Sequence, residues 1–124
     1  WPFVYNSLQF LGVTFLETNN KIDSGRIIHQ IRPKFLKKDD IHDIGNKLIL
    51  SAIQELLFVL KNFNKFKKKN KIKNVKSKIF KRVHFNDYAI KKAYKNIENN
   101  IISKYLKNKK KLEKKFKIIN LRKL

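Results

Sequence analysis

The chain has no cysteine among its 124 residues, which excludes a disulfide framework and any cysteine-ligated metal. Its three glycines, Gly12, Gly25 and Gly45, stand far apart, so no glycine-rich phosphate loop is available. The three histidines, His29, His42 and His84, are scattered and have no cysteine beside them, which argues against zinc. No Ser-His-Asp arrangement can be assembled. No apolar run approaches the length of a membrane span, and the first residues carry no signal-peptide pattern. A cytoplasmic protein without a membrane partner is the expectation.

Negative charge is also scarce. Nine Asp and Glu stand against 31 Lys and Arg, for a formal net charge of +22. The imbalance is uneven: residues 1–60 hold seven Lys/Arg against six Asp/Glu, and residues 61–124 hold 24 against three. Such asymmetry suggests a polyanion partner, a weak RNA contact through the lysine-rich half. A blander cause outweighs it. The basic half is rich in Lys, Asn and Ile with only Arg82 and Arg122 as arginines, a bias that an AT-rich genome writes on tolerant surfaces. Selection for nucleic-acid contacts favours arginine, whose fork binds phosphate and bases bidentately.

What is present is one domain's worth of α/β pattern. Residues 1–6, opening on Trp1-Pro2-Phe3-Val4-Tyr5, read as the end of an apolar helix or its capping turn. A natural start is more often polar and frayed, so an upstream half is expected to be missing. Phe10 to Glu17 and Arg26 to Pro33 alternate as two strands. Asp39 or Asp40 then caps a long helix to Phe63, with Asp43 in its first turn. Its apolar face is expected at Ile41, Ile44, Leu48, Ala52, Ile53, Leu56, Leu57, Leu60 and Phe63, leaving Lys47, Gln54 and Glu55 to solvent. Gly45 inside it implies a close packing contact.

Residues 64–78 read as a lysine-rich linker, and Ile79 to Phe85 as a short strand. Asn86 or Asp87 caps a second helix whose apolar set is Ile90, Ala93, Tyr94, Ile97, Ile101, Ile102, Tyr105 and Leu106. Residues 107–124 extend that helix or wrap over the surface. The organisation is therefore 1–63, a linker 64–78, and 79–124, a short strand with a C-terminal helical extension. Strand, strand, helix, strand, helix fits the later half of an α/β domain.

The residues with most functional content are Gly12-Val13-Thr14, Asp23-Ser24-Gly25 and Ile27-Ile28-His29-Gln30. In order and spacing they resemble the G-V-T…D-x-G-x-I-I-x-Q signature of the folate-dependent formyltransferases, the family of methionyl-tRNA formyltransferase and glycinamide ribonucleotide transformylase. The likeness is sharpest over Gly12 to Gln30 and continues more weakly through the helix to Phe63 and through Asp87 to Leu106. It implies a partial Rossmann-like fold, the late strands and two amphipathic helices of the catalytic domain. It also implies 10-formyltetrahydrofolate as formyl donor and an amine as acceptor.

Formyl transfer requires the amine to lose a proton and the formyl oxygen to be stabilised as it becomes an oxyanion. In the family an Asn, a His and an Asp converge on the formyl carbon. The resemblance assigns the Asp to Asp23 and the pterin-side loop to Thr18, Asn19, Asn20, Lys21 and Ile22. Gly25 serves the turn and Gln30 satisfies polar groups near the site. The family's Asn and His belong to an N-x-H…S-L-L-P segment that does not occur here, so the chain alone does not assemble the site. A tRNA-gripping barrel is also missing after Phe63, which favours a small amine or amino sugar over methionyl-tRNA. The competing reading is a non-enzymatic basic RNA- or ribosome-associated protein. In that reading Phe63, Phe66, Tyr94 and Tyr105 stack on bases, although helical spacing gives the two tyrosines to the core.

Overall fold

A computed structural model describes residues 1–18, 20, 25–69 and 80–123. Among these residues two strands form one antiparallel sheet, β1 (Val13–Glu17) with β2 (Arg26–Ile31), and three α-helices follow. The helices are α1 (Ile41–Lys69), α2 (Asp87–Glu98) and α3 (Ile101–Lys115). The chain divides into two compact units, each drawn from three sequence segments: residues 1–11, 35–41 and 75–117 in the first, and 12–34, 42–74 and 118–124 in the second.

The first unit starts with turns where a helix end was one expectation. Tyr5 N–H donates to the Trp1 carbonyl (3.1 Å) and Ser7 N–H to that of Pro2 (2.9 Å). Asn6 takes a left-handed φ of 50°, which Asn tolerates better than most side chains. Leu8–Phe10 forms a 3₁₀ turn, so Phe10 is not part of the first strand. Leu8, 1 % exposed, joins Phe3, Val4, Phe35, Ala89, Ala93, Ile101, Ile102 and Tyr105 in being buried. The Asn96 amide donates to the carbonyls of Phe3 (2.7 Å) and Val4 (3.3 Å), tying the opening turns to α2.

Three expectations fail in this unit. Residues 80–85 form no strand: Arg82–His84 is a 3₁₀ turn closed by His84 N–H to the Lys81 carbonyl (3.0 Å). Alternation there carried apolar residues on both faces, and Val83 and Phe85 lie exposed with no partner strand to bury them. The expected second helix is two helices. Asn86 does cap α2, its Oδ1 accepting from Ala89 N–H at 3.2 Å. The helix then stops at Asn99-Asn100, where Asn100 turns left-handed (φ 59°). On α2, Ile90 and Tyr94 are exposed while Ala89 is buried. Asp39 is buried and its Oδ2 accepts from Leu36 N–H at 2.8 Å, so it secures the turn before the helix. Asp40 stands immediately before α1.

In the second unit β1 and β2 pair from Val13↔Ile31 to Glu17↔Arg26, with a bulge opposite Phe15/Leu16 that leaves Ile28 as the extra residue. The bulge explains why adjacent residues Ile28 and His29 are both buried, since strict alternation would send them to opposite faces. A core cluster of Ile28, Val59, Phe66 and Leu121 is flanked by Phe15, Phe58, Phe63 and Ile119. Phe66 in that cluster explains why α1 runs on through residues 64–69, the first part of the expected linker. The remainder of that linker, 70–78, lies outside the described residues.

The buried line on α1 matches the expected one at Ile44 and Leu48 and departs from it further along the helix. Ile44, Leu48, Val59 and Phe66 are buried, whereas Ile53, Leu57 and Leu60 are exposed (Leu57 at 64 %) and Leu56 is partly so. The expected packing partner of Gly45 is absent too: a Cβ built there meets nothing within 4 Å. Gly45→Ala should therefore stabilise α1 by about 1 kcal/mol through helix propensity alone. A shift of the urea midpoint to higher concentration at unchanged slope checks this.

Candidate functional site

The hairpin β1–β2 sets the ends of the loop that carries the expected catalytic carboxylate. Glu17 and Arg26 pair in register and also through an ion pair, Arg26 Nη2 to Glu17 Oε2 at 3.1 Å. A Cβ on Gly25 would run into the Glu17 carbonyl, and one on Gly12 into the Ile31 carbonyl. Both glycines of the motif are thus needed for close backbone approach at the two ends of the hairpin. Asp23, with Asn19, Lys21 and Ile22, lies outside the described residues. Thr18 and Asn20 are exposed. Gln30 is paired with Thr14, four residues from Arg26, roughly 13 Å along the strand from the loop. The structure brings Thr18 and Gly25 together at the loop base and leaves Gln30 at the other end.

Gln30 and His29 act on the C-terminal segment instead. Gln30 N–H donates to the Ile119 carbonyl (2.6 Å), and its side-chain Oε1 accepts from Ile119 N–H (3.1 Å). Its Nε2 donates to Thr14 Oγ1 at 3.2 Å. His29 Nδ1 accepts from Leu121 N–H at 3.2 Å, and Nε2 meets Glu55 Oε1 at 3.0 Å. A backbone N–H only donates, so Nδ1 must carry the lone pair and Nε2 the proton. The same Glu55 oxygen accepts from Arg122 Nε at 2.7 Å. The Arg122 guanidinium also lies 4.2 Å from the centre of the Phe58 ring.

His29 is 0 % exposed, between the rings of Phe15 and Phe58. Burial pushes its pKa below the ordinary 6.5, against the upward pull of Glu55, and Arg122 adds a smaller downward push. The Glu55 hydrogen bond raises the Arg122 guanidinium pKa. A histidine sealed in this way cannot touch a substrate. It is a positioned acceptor for backbone, and it holds residues 119–121 along β2. The sequence pointed to none of this. Glu55 reads as a solvent position on α1, and its partners lie 26 and 67 residues away.

Two clefts of the first unit stand out among the described residues. One, of about 390 Å³, is lined by the amides of Asn6, Gln9, Asn96, Asn99 and Asn108 with Lys104 at its edge. The other, of about 420 Å³, is aromatic: Trp1, Tyr5, Phe80 and Tyr88 stand around Val4 and Ala89, with His84 and Lys92 on the rim. Trp1 stacks on Phe80 at 4.6 Å, and Lys92 Nζ lies 5.7 Å from the Tyr5 ring centre. Of the aromatics expected to stack on bases, Phe66 and Tyr105 are buried and only Tyr94 is well exposed. None of the motif residues lines either cleft.

No family model, curated protein or solved structure matches the chain. Among the described residues no group of His, Asp or Glu gathers in the way a metal site needs. No helix of the described residues is long and apolar enough to cross a membrane.

Proposed function

We propose that the chain is the C-terminal portion of the catalytic domain of a folate-dependent formyltransferase, cytoplasmic, with a partial Rossmann-like fold. It passes the formyl group of 10-formyltetrahydrofolate to a small amine or amino sugar. The observation that carries the reading is the motif on its hairpin: Val13-Thr14, directly after Gly12, and Arg26 to Gln30 lie on paired strands, and the ion pair of Glu17 with Arg26 joins those strands on either side of Asp23 in the sequence. In this reading Asp23 orients the histidine and helps remove the amine proton. Residues 18–22 line the pterin, and the Asn and His come from a segment with the N-x-H pattern outside these residues. The exposed aliphatic stripe Ile49, Leu50, Ile53, Leu57 and Leu60 on α1 supports it, because a helix of an α/β layer carries such a face against its sheet.

The test is formyl transfer from 10-formyltetrahydrofolate by the natural full-length protein, offered amino sugars, free amines and methionyl-tRNA. Transfer to at least one small amine is expected, with Asp23→Asn reducing the rate by at least about tenfold. Near-normal transfer by the variant removes Asp23 from the mechanism. No transfer to any acceptor removes the formyltransferase reading and leaves the basic RNA-binding protein, which the aromatic cleft with Lys92 in its lining favours.

A further inference from the structure

The aromatic cleft of the first unit plays no part in formyl transfer, and its chemistry is specific. Its walls are flat rings, Trp1, Tyr5, Phe80 and Tyr88, over a small apolar floor of Val4 and Ala89. Tyr88 is 73 % exposed and offers its ring to a ligand, whereas the Tyr5 ring already packs against Trp1, Phe80 and Lys92. At about 420 Å³ the cleft falls within the range of small-ligand pockets. Lys92 reaches the Tyr5 ring from the rim. Residues 80–117, which supply Phe80, His84, Tyr88, Ala89 and Lys92 to its lining, carry 13 Lys/Arg against three Asp/Glu.

Flat rings that stack on a ligand, with cations at the rim and a dense positive field beyond, suit a chain of bases joined by phosphates. An apolar ligand would have no use for the lysines, and a purely anionic one none for the rings. The cations near the cleft are mostly lysine, which neutralises phosphate as a point charge and reads little sequence. We infer that the aromatic cleft of Trp1, Tyr5, Phe80 and Tyr88 binds single-stranded nucleic acid. One base stacks on the Tyr88 ring, and the adjoining phosphate lies against Lys92. The proposal is independent of formyl transfer and stands if that reading fails.

Trp1, the one tryptophan of the sequence, is a built-in reporter because it lines the cleft. The 124-residue chain is titrated with a twelve-residue oligouridylate, with inorganic polyphosphate and with uridine monophosphate. Trp1 fluorescence and the anisotropy of a labelled oligonucleotide are followed at several salt concentrations. Oligouridylate should quench Trp1 and bind with an affinity that falls steeply with salt, whereas polyphosphate should bind without quenching. Tyr88→Ala should weaken oligonucleotide binding by about fivefold or more. Circular dichroism should be unchanged, since the ring lies largely outside the fold. Tyr94→Ala, on the same helix but away from the cleft, should bind as the native chain does. Equal binding of oligouridylate and polyphosphate with no loss in Tyr88→Ala would show a charge effect only and overturn the proposal. Uridine monophosphate binding as tightly as the oligomer would overturn it in favour of a mononucleotide site. The absence of quenching by any of the three would also overturn it.

Discussion

Replacing His29 by alanine should lower the unfolding free energy by about 3 kcal/mol at pH 7.5, from three losses at one place. The Leu121 N–H loses its buried acceptor, Glu55 loses one of its two donors, and a void opens between Phe15 and Phe58. The effect carries a pH signature. Burial sets the His29 pKa in the fold below its ordinary 6.5, so the unfolded chain binds the proton more readily than the folded one. The neutral side chain therefore contributes stability that is fully present above pH 6.5 and lost as pH falls through the lower folded value. Protonation at Nδ1 would set a donor against the Leu121 N–H, and Leu121 would lose its hold on β2 while Ile119 stays bonded to Gln30.

Two measurements check this. The urea midpoint of the native chain should drop between pH 7.5 and pH 5, and the gap between native and His29→Ala should narrow over the same range. The protection of the Leu121 amide against hydrogen exchange, relative to intrinsic exchange at each pH, should fall on acidification before that of the β2 amides does. His29→Gln is the rescue. Its amide can accept from Leu121 and donate to Glu55 without titrating, so it should keep most of the stability and lose this pH dependence. His42 and His84 are exposed and remain in every variant. A native pH slope that persists unchanged in His29→Gln would assign it to another group.

Leu8→Ala should destabilise the chain by about 3 kcal/mol, within the range for a fully buried leucine cut back to alanine. Leu8 is 1 % exposed and borders the cleft with Ile101, Tyr105 and Leu112. The cost has a transfer part and a void part, and the second depends on how far the neighbours close in. Here closure is limited. Asn96 pins the turns before Leu8 through the Phe3 and Val4 carbonyls, and Tyr105 is held by its hydroxyl donating to Glu113 Oε1 at 3.0 Å. A urea midpoint lowered without a change of slope is the expected result. A loss below about 1 kcal/mol would show that the turn relaxes around the smaller side chain.

α1 shows where sequence periodicity reaches its limit. The helix itself was legible from apolar residues at three- and four-residue steps after Asp39-Asp40. Its buried face was legible only at Ile44 and Leu48. Ile53, Leu56, Leu57 and Leu60 make the richer aliphatic line, yet the chain buries the line of Ile44, Leu48, Val59 and Phe66, which includes Glu55 at the right spacing. A carboxylate on a core line reads as an error until its partners are known. His29 and Arg122 make burying it affordable, and neither can be located from the helix pattern.

Local chemistry was sufficient wherever one segment settles its own backbone. The two strands, Gly25 between them and the Asn86 cap follow from residues adjacent in the chain, because alternation, turn chemistry and the cap hydrogen bond are each set within a few positions. The break at Asn99-Asn100 belongs to the same class and was available in the two consecutive asparagines, though helical apolar spacing ran across it. What required the tertiary structure are the contacts between distant segments. They are the hold of His29 and Gln30 on residues 119–121, the bulge that buries Ile28 beside His29, and the gathering of Trp1, Tyr5, Phe80 and Tyr88 around one cleft. Each depends on which surfaces meet, and contacts such as His29 to Leu121 and Gln30 to Ile119, 92 and 89 positions apart, leave no period in the sequence to read.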